Sequence, residues 1–65
     1  MMNRQQLTAD TIQFEDFAAC APRVGEFLEL PMNAFGTVVA RFQVTSVNAD
    51  PSCAGRVVAQ AVKVS

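Results

Sequence analysis

Two long runs of residues that favour β-strands fill most of the second half of this 65-residue chain. The runs extend over residues 36–47 and 56–64, and neither contains an internal proline. Valine is frequent in both, and the first run adds threonine and phenylalanine, which pack well on the pleated surface of a sheet. Residues 48–55 form a turn-rich stretch between the runs. The pattern therefore predicts two long strands joined by a turn.

Side-chain alternation in the first run predicts a local irregularity. Four of its apolar residues share one face of a regular strand: Val38, Ala40, Phe42 and Val44. Val47 falls on the opposite parity although it is also apolar. A bulge or a sharp bend near residues 44–46 would bring Val47 back to the buried face.

The last run is apolar on both of its faces. One face carries Val58, Gln60, Val62 and Val64, and the other, smaller face carries Val57, Ala59 and Ala61. A strand of this kind is usually central in its sheet or covered by another element. Because so short a chain has little left to provide that cover, a second subunit is a reasonable candidate.

The first half of the chain predicts a less regular beginning. Residues 1–6 are polar and predict a flexible leader, so the folded domain is expected to span residues 7–65. Alternation over residues 7–14 indicates a first strand that ends near Glu15. The apolar spacing within residues 11–20 also fits a short helix, and the two interpretations stay open at this point.

The remaining elements complete a small all-β pattern. Residues 22–26 predict a turn, and residues 27–30 predict a short strand that Pro31 either ends or confines to a sheet edge. Together the elements predict an all-β chain with four or five antiparallel strands, arranged as a small barrel or a strongly bent sheet. One short helical turn, over residues 17–21, is compatible with this fold class.

The composition favours a partner made of protein. Charged residues make up only 17% of the chain, and a small domain with few charges leaves much uncharged surface. We therefore expect a homo-oligomer or a protein partner. The net charge is −1 and the basic residues are scattered, so a nucleic-acid partner is not expected. A nucleic-acid-binding barrel is the alternative if the fold gathers the four cations Arg23, Arg41, Arg56 and Lys63.

The chain has two cysteines and no histidine. A structural zinc site normally needs four Cys or His ligands, so no metal is expected. No apolar run approaches the ~18 residues of a membrane span, and the first residues lack the apolar stretch of a signal peptide. A cytoplasmic location is therefore expected, with Cys20 and Cys53 as free thiols, although a single disulfide between them stays open.

Catalytic chemistry has little support in the sequence. Without histidine the commonest general base near neutral pH is absent, and no glycine-rich nucleotide motif is present, so neither an enzyme nor a cofactor is expected. Glu15 and Asp16 are adjacent, and they and Glu26 are interpreted as ordinary turn or surface charges. Cys20 lies near Arg23, but flanking alanines indicate a small packed residue. The enzyme alternative requires a carboxylate site between subunits, built from Glu15, Asp16 or Glu26.

Two segments carry a resemblance to known proteins. Residues 22–30, Pro-Arg-Val-Gly-Glu-Phe-Leu-Glu-Leu, resemble a turn that leads into a strand in many short bacterial and phage proteins. Residues 42–47, Phe-Gln-Val-Thr-Ser-Val, resemble a later strand of the same proteins. That family of mostly uncharacterised SH3-like barrels occurs in phages and mobile gene cassettes. Over residues 12–64 the resemblance implies the SH3-like fold and no active-site residue.

Together these observations predict a small non-enzymatic β-barrel that acts as a binding or assembly module. Its contacts are expected to be self-association or contact with another protein, because the apolar content is high and the charge is low. The predicted interaction surface consists of Phe35, Val57, Ala59 and Ala61. The Tyr- and Trp-lined groove of proline-binding barrels cannot be built here, because the chain has neither residue.

Overall fold

Five antiparallel strands form one curled sheet in the computed structural model, which describes residues 2–64. The strands are β1 (Met2–Gln6), β2 (Thr11–Phe17), β3 (Phe27–Pro31), β4 (Val39–Ala49) and β5 (Arg56–Lys63). Their order across the sheet is β1-β2-β5-β4-β3. The described residues contain no helix, and the prediction of an all-β fold with a strongly bent sheet is confirmed. The assignment to the SH3-like family stays a prediction.

β5 lies at the centre of the sheet, between β2 and β4. This position confirms the expectation drawn from its two apolar faces, because both of its ladders are paired and one face is buried. β1 and β3 form the two edges. β3 ends at Pro31, as predicted, because proline has no backbone N–H to donate to a ladder.

A bulge interrupts β4 at the predicted place. Val44 pairs with Ala61 and Ser46 pairs with Gln60, so Thr45 is an extra residue on β4. The Thr45 hydroxyl donates to the Gln60 carbonyl at 3.2 Å. The extra residue restores the parity of Val47, which packs against the core, and the prediction of a bulge near residues 44–46 is confirmed.

The core occupies the concave face of the curled sheet. Its buried members are Ile12, Phe14, Ala40, Phe42, Val44, Ala59 and Ala61, and Leu28, Leu30 and Val47 pack against them. The central strand contributes only alanines, whereas its neighbours contribute the large side chains. Phe14 on β2 is the register partner of Ala59, and Val44 on β4 is the register partner of Ala61. Small residues on β5 therefore leave room for the side chains that converge from both sides.

The prediction that Ala59 and Ala61 belong to an interaction surface is wrong. Both are 0% exposed. They lie at the centre of the concave face, where a curled sheet has space only for small side chains. Val57 lies on the same face and is half-buried. Val38 was expected on the core face, but it precedes β4 and is exposed.

The N-terminal segment is ordered, contrary to the prediction of a flexible leader for residues 1–6. Met2–Gln6 form β1 and pair with β2, while residue 1 lies outside the described residues. Polar sequence suits an edge strand, because backbone pairing holds it and little of its surface needs burial. The first strand was expected over residues 7–14, but residues 7–10 form a turn, closed where the Leu7 N–H donates to the Thr11 carbonyl at 2.9 Å.

Residues 11–20 resolve in favour of the strand. β2 continues to Phe17 and is followed by a tight turn, in which the Cys20 N–H donates to the Phe17 carbonyl at 2.9 Å. The alternation of buried and half-buried residues along β2 has the period of a strand. No helix forms over residues 11–17, because each residue of β2 is paired with β5, and the helical turn expected over residues 17–21 is replaced by a non-helical turn at residues 18–20.

A side-chain network stabilises the turn between β4 and β5. The Asp50 carboxylate accepts hydrogen bonds from the Ser52 hydroxyl at 2.7 Å and from the Ser52 N–H at 2.9 Å. These two hydrogen bonds, first the one from the hydroxyl, hold the pKa of Asp50 below its usual range. The stability that they contribute is present above the pKa of the unfolded chain and is lost as the pH falls through the lower, folded pKa.

We expect the replacement Ser52→Ala to raise the pKa of Asp50 towards its ordinary value. The substitution removes the hydroxyl donor, which is the larger cause of the lowered pKa, and leaves the backbone donor in place. Carboxyl-carbon NMR across an acid titration measures the change. An Asp50 titration curve that is identical in the wild type and in the variant would contradict this account of the turn.

Candidate functional site

Hydrogen bonds from one asparagine side chain fix the conformation of the loop between β3 and β4. The side-chain oxygen of Asn33 accepts from the N–H groups of Thr37 at 3.0 Å and of Val38 at 3.4 Å, and its amide donates to the Thr37 hydroxyl at 2.7 Å. The Met32 N–H donates to the Val38 carbonyl at 2.8 Å and closes the base of the loop. Gly36 has a φ of 70°, a conformation that a residue with a Cβ rarely adopts.

This ordered loop presents large apolar side chains to solvent. We call its exposed apolar residues the hairpin tip: Met32, Phe35, Val38 and Val39. Phe35 is 89% exposed, the highest value among the exposed large apolar residues. Residues 30–40 contain no charged side chain. The hairpin tip is therefore an uncharged apolar surface on a loop whose shape is fixed by hydrogen bonds.

The convex face of the sheet is mixed in character. Arg41 stacks over the Phe27 ring at 4.3 Å from its centroid, and Arg56 lies 6.0 Å from the centroid of Phe17. Between these pairs, the Gln60 amide donates to the Gln13 side-chain oxygen at 3.2 Å. The arginines cover part of both aromatic rings, and on the central strand this face carries Gln60 between the half-buried Val58 and Val62.

The four cations of the nucleic-acid alternative are not gathered into one patch. Arg41 accepts a backbone hydrogen bond from Val64, which lies eight residues beyond Arg56 on the neighbouring strand. At about 3.3 Å per residue, Arg41 and Arg56 lie about 26 Å apart along the sheet. Arg56 also faces the Glu15 carboxylate at 3.8 Å. Arg23 is exposed in the turn before β3, and Lys63 is exposed at the end of β5.

The candidate carboxylates are also dispersed. Glu15 lies on the convex face beside Arg56, whereas Asp16 points to the concave face and is only 8% exposed. The interpretation of Asp16 as a solvated turn residue is wrong, because β2 extends past it, and its carboxylate accepts the Phe17 N–H at 2.8 Å. Glu26 is exposed in a turn. The fold therefore brings no two of these acids to one site within the chain.

The two thiols are free, as predicted, but Cys20 is exposed and not packed as its alanine neighbours suggested. The turns that carry Cys20 and Cys53 lie at the same end of the sheet, where the Ala18 N–H donates to the Gly55 carbonyl at 2.8 Å. Within residues 2–64, no three side chains of His, Cys, Asp or Glu approach closely enough to hold a metal ion. The same part of the chain has no helix long and apolar enough to cross a bilayer.

A cleft opens where the two edge strands face each other. Its lining comes from both edges and from the core between them: Arg4, Gln6, Ile12, Pro31, Met32 and Phe42. Its volume is about 110 Å³. No Cα atom of β1 lies within 8 Å of a Cα atom of β3, so the sheet stays open along this line. We call this space the seam cleft.

The sequence predicted one residue of the hairpin tip and missed the rest. Phe35 is exposed, as an interaction residue must be, and its role in contact stays a prediction. Met32, Val38 and Val39 were interpreted as loop and strand residues. The signal that indicates them is the uncharged stretch of residues 30–40, because a loop is usually polar. No local signal indicates the seam cleft, whose two walls are far apart in sequence.

Comparison with known proteins does not assign the chain to a family. The chain matches no protein-family model, no curated protein and no solved structure.

Proposed function

We propose that this protein is a non-enzymatic binding module that self-associates through the hairpin tip. The observation that carries the proposal is Phe35, which is 89% exposed on a loop fixed by Asn33. A large aromatic side chain held in water by a rigid loop is the arrangement of a contact residue, because little ordering entropy is lost when a partner covers it.

The absence of charged residues within residues 30–40 favours a second copy of this chain as the partner. In a symmetric dimer each surface residue meets the same region of the other copy, so like charges would repel. Residues 30–40 carry none, and two hairpin tips can meet without that cost. Burial of apolar surface contributes about 25 cal/mol per Å², so a partner that covers the exposed side chains of the tip gains binding energy.

Catalysis and nucleic-acid binding have less support from the described residues. The candidate acids lie on opposite faces of the sheet or in a separate turn, and two of the candidate cations, Arg41 and Arg56, lie about 26 Å apart along the sheet. Neither set forms a constellation that would act on one substrate or follow one phosphate backbone.

Sedimentation velocity over a micromolar concentration series tests the proposal. We expect the wild type to sediment as a dimer at tens of micromolar, and Phe35→Ser to raise the dissociation constant at least ten-fold. The reason is that burial of a phenylalanine side chain contributes about 1.5–3 kcal/mol, and ten-fold corresponds to about 1.4 kcal/mol.

Val24→Ser is the matched control. Val24 is also apolar and exposed, but it precedes β3 and lies at the opposite end of the β3–β4 ladder from the hairpin tip. This variant should sediment like the wild type. A wild type that is monomeric throughout the series, or equal loss of association in both variants, would show that the hairpin tip is not the interface.

A further inference from the structure

The seam cleft is a second site, separate from the hairpin tip in its chemistry. Its floor is apolar, since Ile12 and Phe42 belong to the core. One wall is polar and carries Arg4 and Gln6 from β1. None of the residues that line it is acidic. The seam cleft therefore combines an apolar base with one positive charge.

Arg4 has no ionic partner among the residues that the structure describes. Its side chain is exposed, and the salt bridge within the described residues joins Arg56 and Glu15 instead. An unpaired guanidinium beside an apolar floor favours a ligand with a carboxylate, because a planar pair of N–H donors matches both carboxylate oxygens.

The edge of β1 adds backbone groups to this site. The Leu7 N–H donates to the Thr11 carbonyl, so over residues 5–7 the hydrogen-bonded pairs alternate and include Gln5 with Gln13, whereas the register shifts between Met2 and Gln5. Gln6 falls between them, and its backbone N–H and C=O point away from β2 towards the seam. An extended strand can pair with such an edge.

The edge of β3 is less suited to the same role. The Met32 N–H donates to the Val38 carbonyl, so by the same alternation Pro31 turns its backbone to the free edge. Proline has no N–H, and a proline on a free edge is a common protection against strand addition. The β1 edge is therefore the one that accepts a strand.

The two edge strands are not paired with each other. β1 and β3 stay more than 8 Å apart at their Cα atoms, whereas paired strands lie about 4.7–4.9 Å apart. A strand added to β1 would lie over the apolar floor, between the two edges. Arg4 lies in the irregular stretch of β1 between Met2 and Gln5, and its long, exposed side chain can reach a carboxylate on such a strand.

From these observations we propose that the seam cleft binds an extended acidic peptide segment by strand addition to β1. One carboxylate of the segment pairs with Arg4. The side chains that flank this acid on the same face of the segment are apolar and cover Ile12 and Phe42. Met32 lines this site and also belongs to the hairpin tip, so the peptide titration is repeated with Phe35→Ser, in which self-association is weakened.

Amide NMR of the ¹⁵N-labelled protein, titrated with capped synthetic peptides, tests the proposal. The first probe is the heptapeptide Val-Thr-Glu-Thr-Val-Thr-Val, and the second has glutamine in place of glutamate. We expect peptide-induced shifts to centre on Gln6, Ile12 and Met32. We also expect the glutamate peptide to bind about ten-fold more tightly at low salt, because charge-assisted hydrogen bonds are roughly twice as strong as neutral ones.

Two protein variants separate the charge from the general effect of a cation. Arg4→Gln should abolish the preference for the glutamate peptide, whereas Arg23→Gln, which changes an exposed arginine outside the cleft, should retain it. Equal affinity of the two peptides for the wild type would overturn the proposal. So would an equal loss of preference in both variants.

Two N-methylated forms of the glutamate peptide test the backbone pairing. One carries methyl groups on the amides along one edge of the strand, and the other carries them along the opposite edge. We expect one form to bind at least ten-fold more weakly and the other to bind like the parent, since only one edge faces β1. Equal binding of both forms would overturn strand addition, as would shifts confined to the convex face or no shifts at millimolar peptide.

Discussion

Replacement of Phe14 by alanine is expected to remove most of the stability of this protein. Phe14 is 1% exposed and lies in β2 opposite Ala59 on the central strand. Loss of a buried phenylalanine costs about 3–5 kcal/mol, because transfer energy is lost and a cavity remains. At about 0.05–0.15 kcal/mol per residue, a chain of this length has roughly 3–10 kcal/mol in total. We therefore expect the variant to keep at most about 7 kcal/mol and, at the lower end of this range, to be unfolded without denaturant.

Urea denaturation followed by far-ultraviolet circular dichroism measures this effect, since the chain has no tryptophan or tyrosine to report by fluorescence. Phe35→Ala is the matched control, because it makes the same chemical change at an exposed position. At concentrations where the protein is monomeric, the control should lie within about 0.5 kcal/mol of the wild type. If the two variants lose the same stability, Phe14 is not a core residue and the concave face has been misassigned.

The sequence predicted the features that follow from local alternation. The parity change at Val47 indicated the bulge at Thr45, because an apolar residue on the wrong face is explained only by an inserted residue. The apolar character of both faces of β5 indicated its central position. Pro31 indicated an edge strand, because it cannot donate to a second ladder. Each of these inferences needs only the neighbours of one residue along the chain.

The features that the sequence did not predict depend on the curvature of the sheet. Alternation separates the two faces of β5 but does not show which face is concave. The face with Val58 and Val62 has the larger apolar side chains, yet the face with Ala59 and Ala61 forms the core. β1 is polar, so its sequence has no alternation of apolar residues that would indicate a strand. It forms because the edge of β2 offers backbone groups to pair with. The seam cleft brings Arg4 near Met32, and this proximity arises only because the five strands curl.

Enlargement of Ala59 is expected to be the second most damaging of these changes, although it adds apolar atoms. Ala59 is 0% exposed and faces Phe14, so a leucine would have to displace a side chain that is itself fully packed. Overpacking of this kind typically costs about 1–3 kcal/mol. We expect Ala59→Leu to lower the free energy of unfolding by this amount in urea denaturation.

The matched control is Ala49→Leu, which makes the same change at an exposed residue of β4 and should be nearly neutral.

The double variant Phe14→Ala with Ala59→Leu adds a decisive measurement, because leucine can occupy the space that phenylalanine leaves. Residues in contact show non-additive effects of about 0.5–3 kcal/mol, so the double variant should be more stable than the sum of the single losses predicts. Additive losses would mean that the two side chains do not share a cavity. If Ala59→Leu altered the association of the protein and not its stability, Ala59 would belong to an interface, and the concave face of the sheet would not be the core.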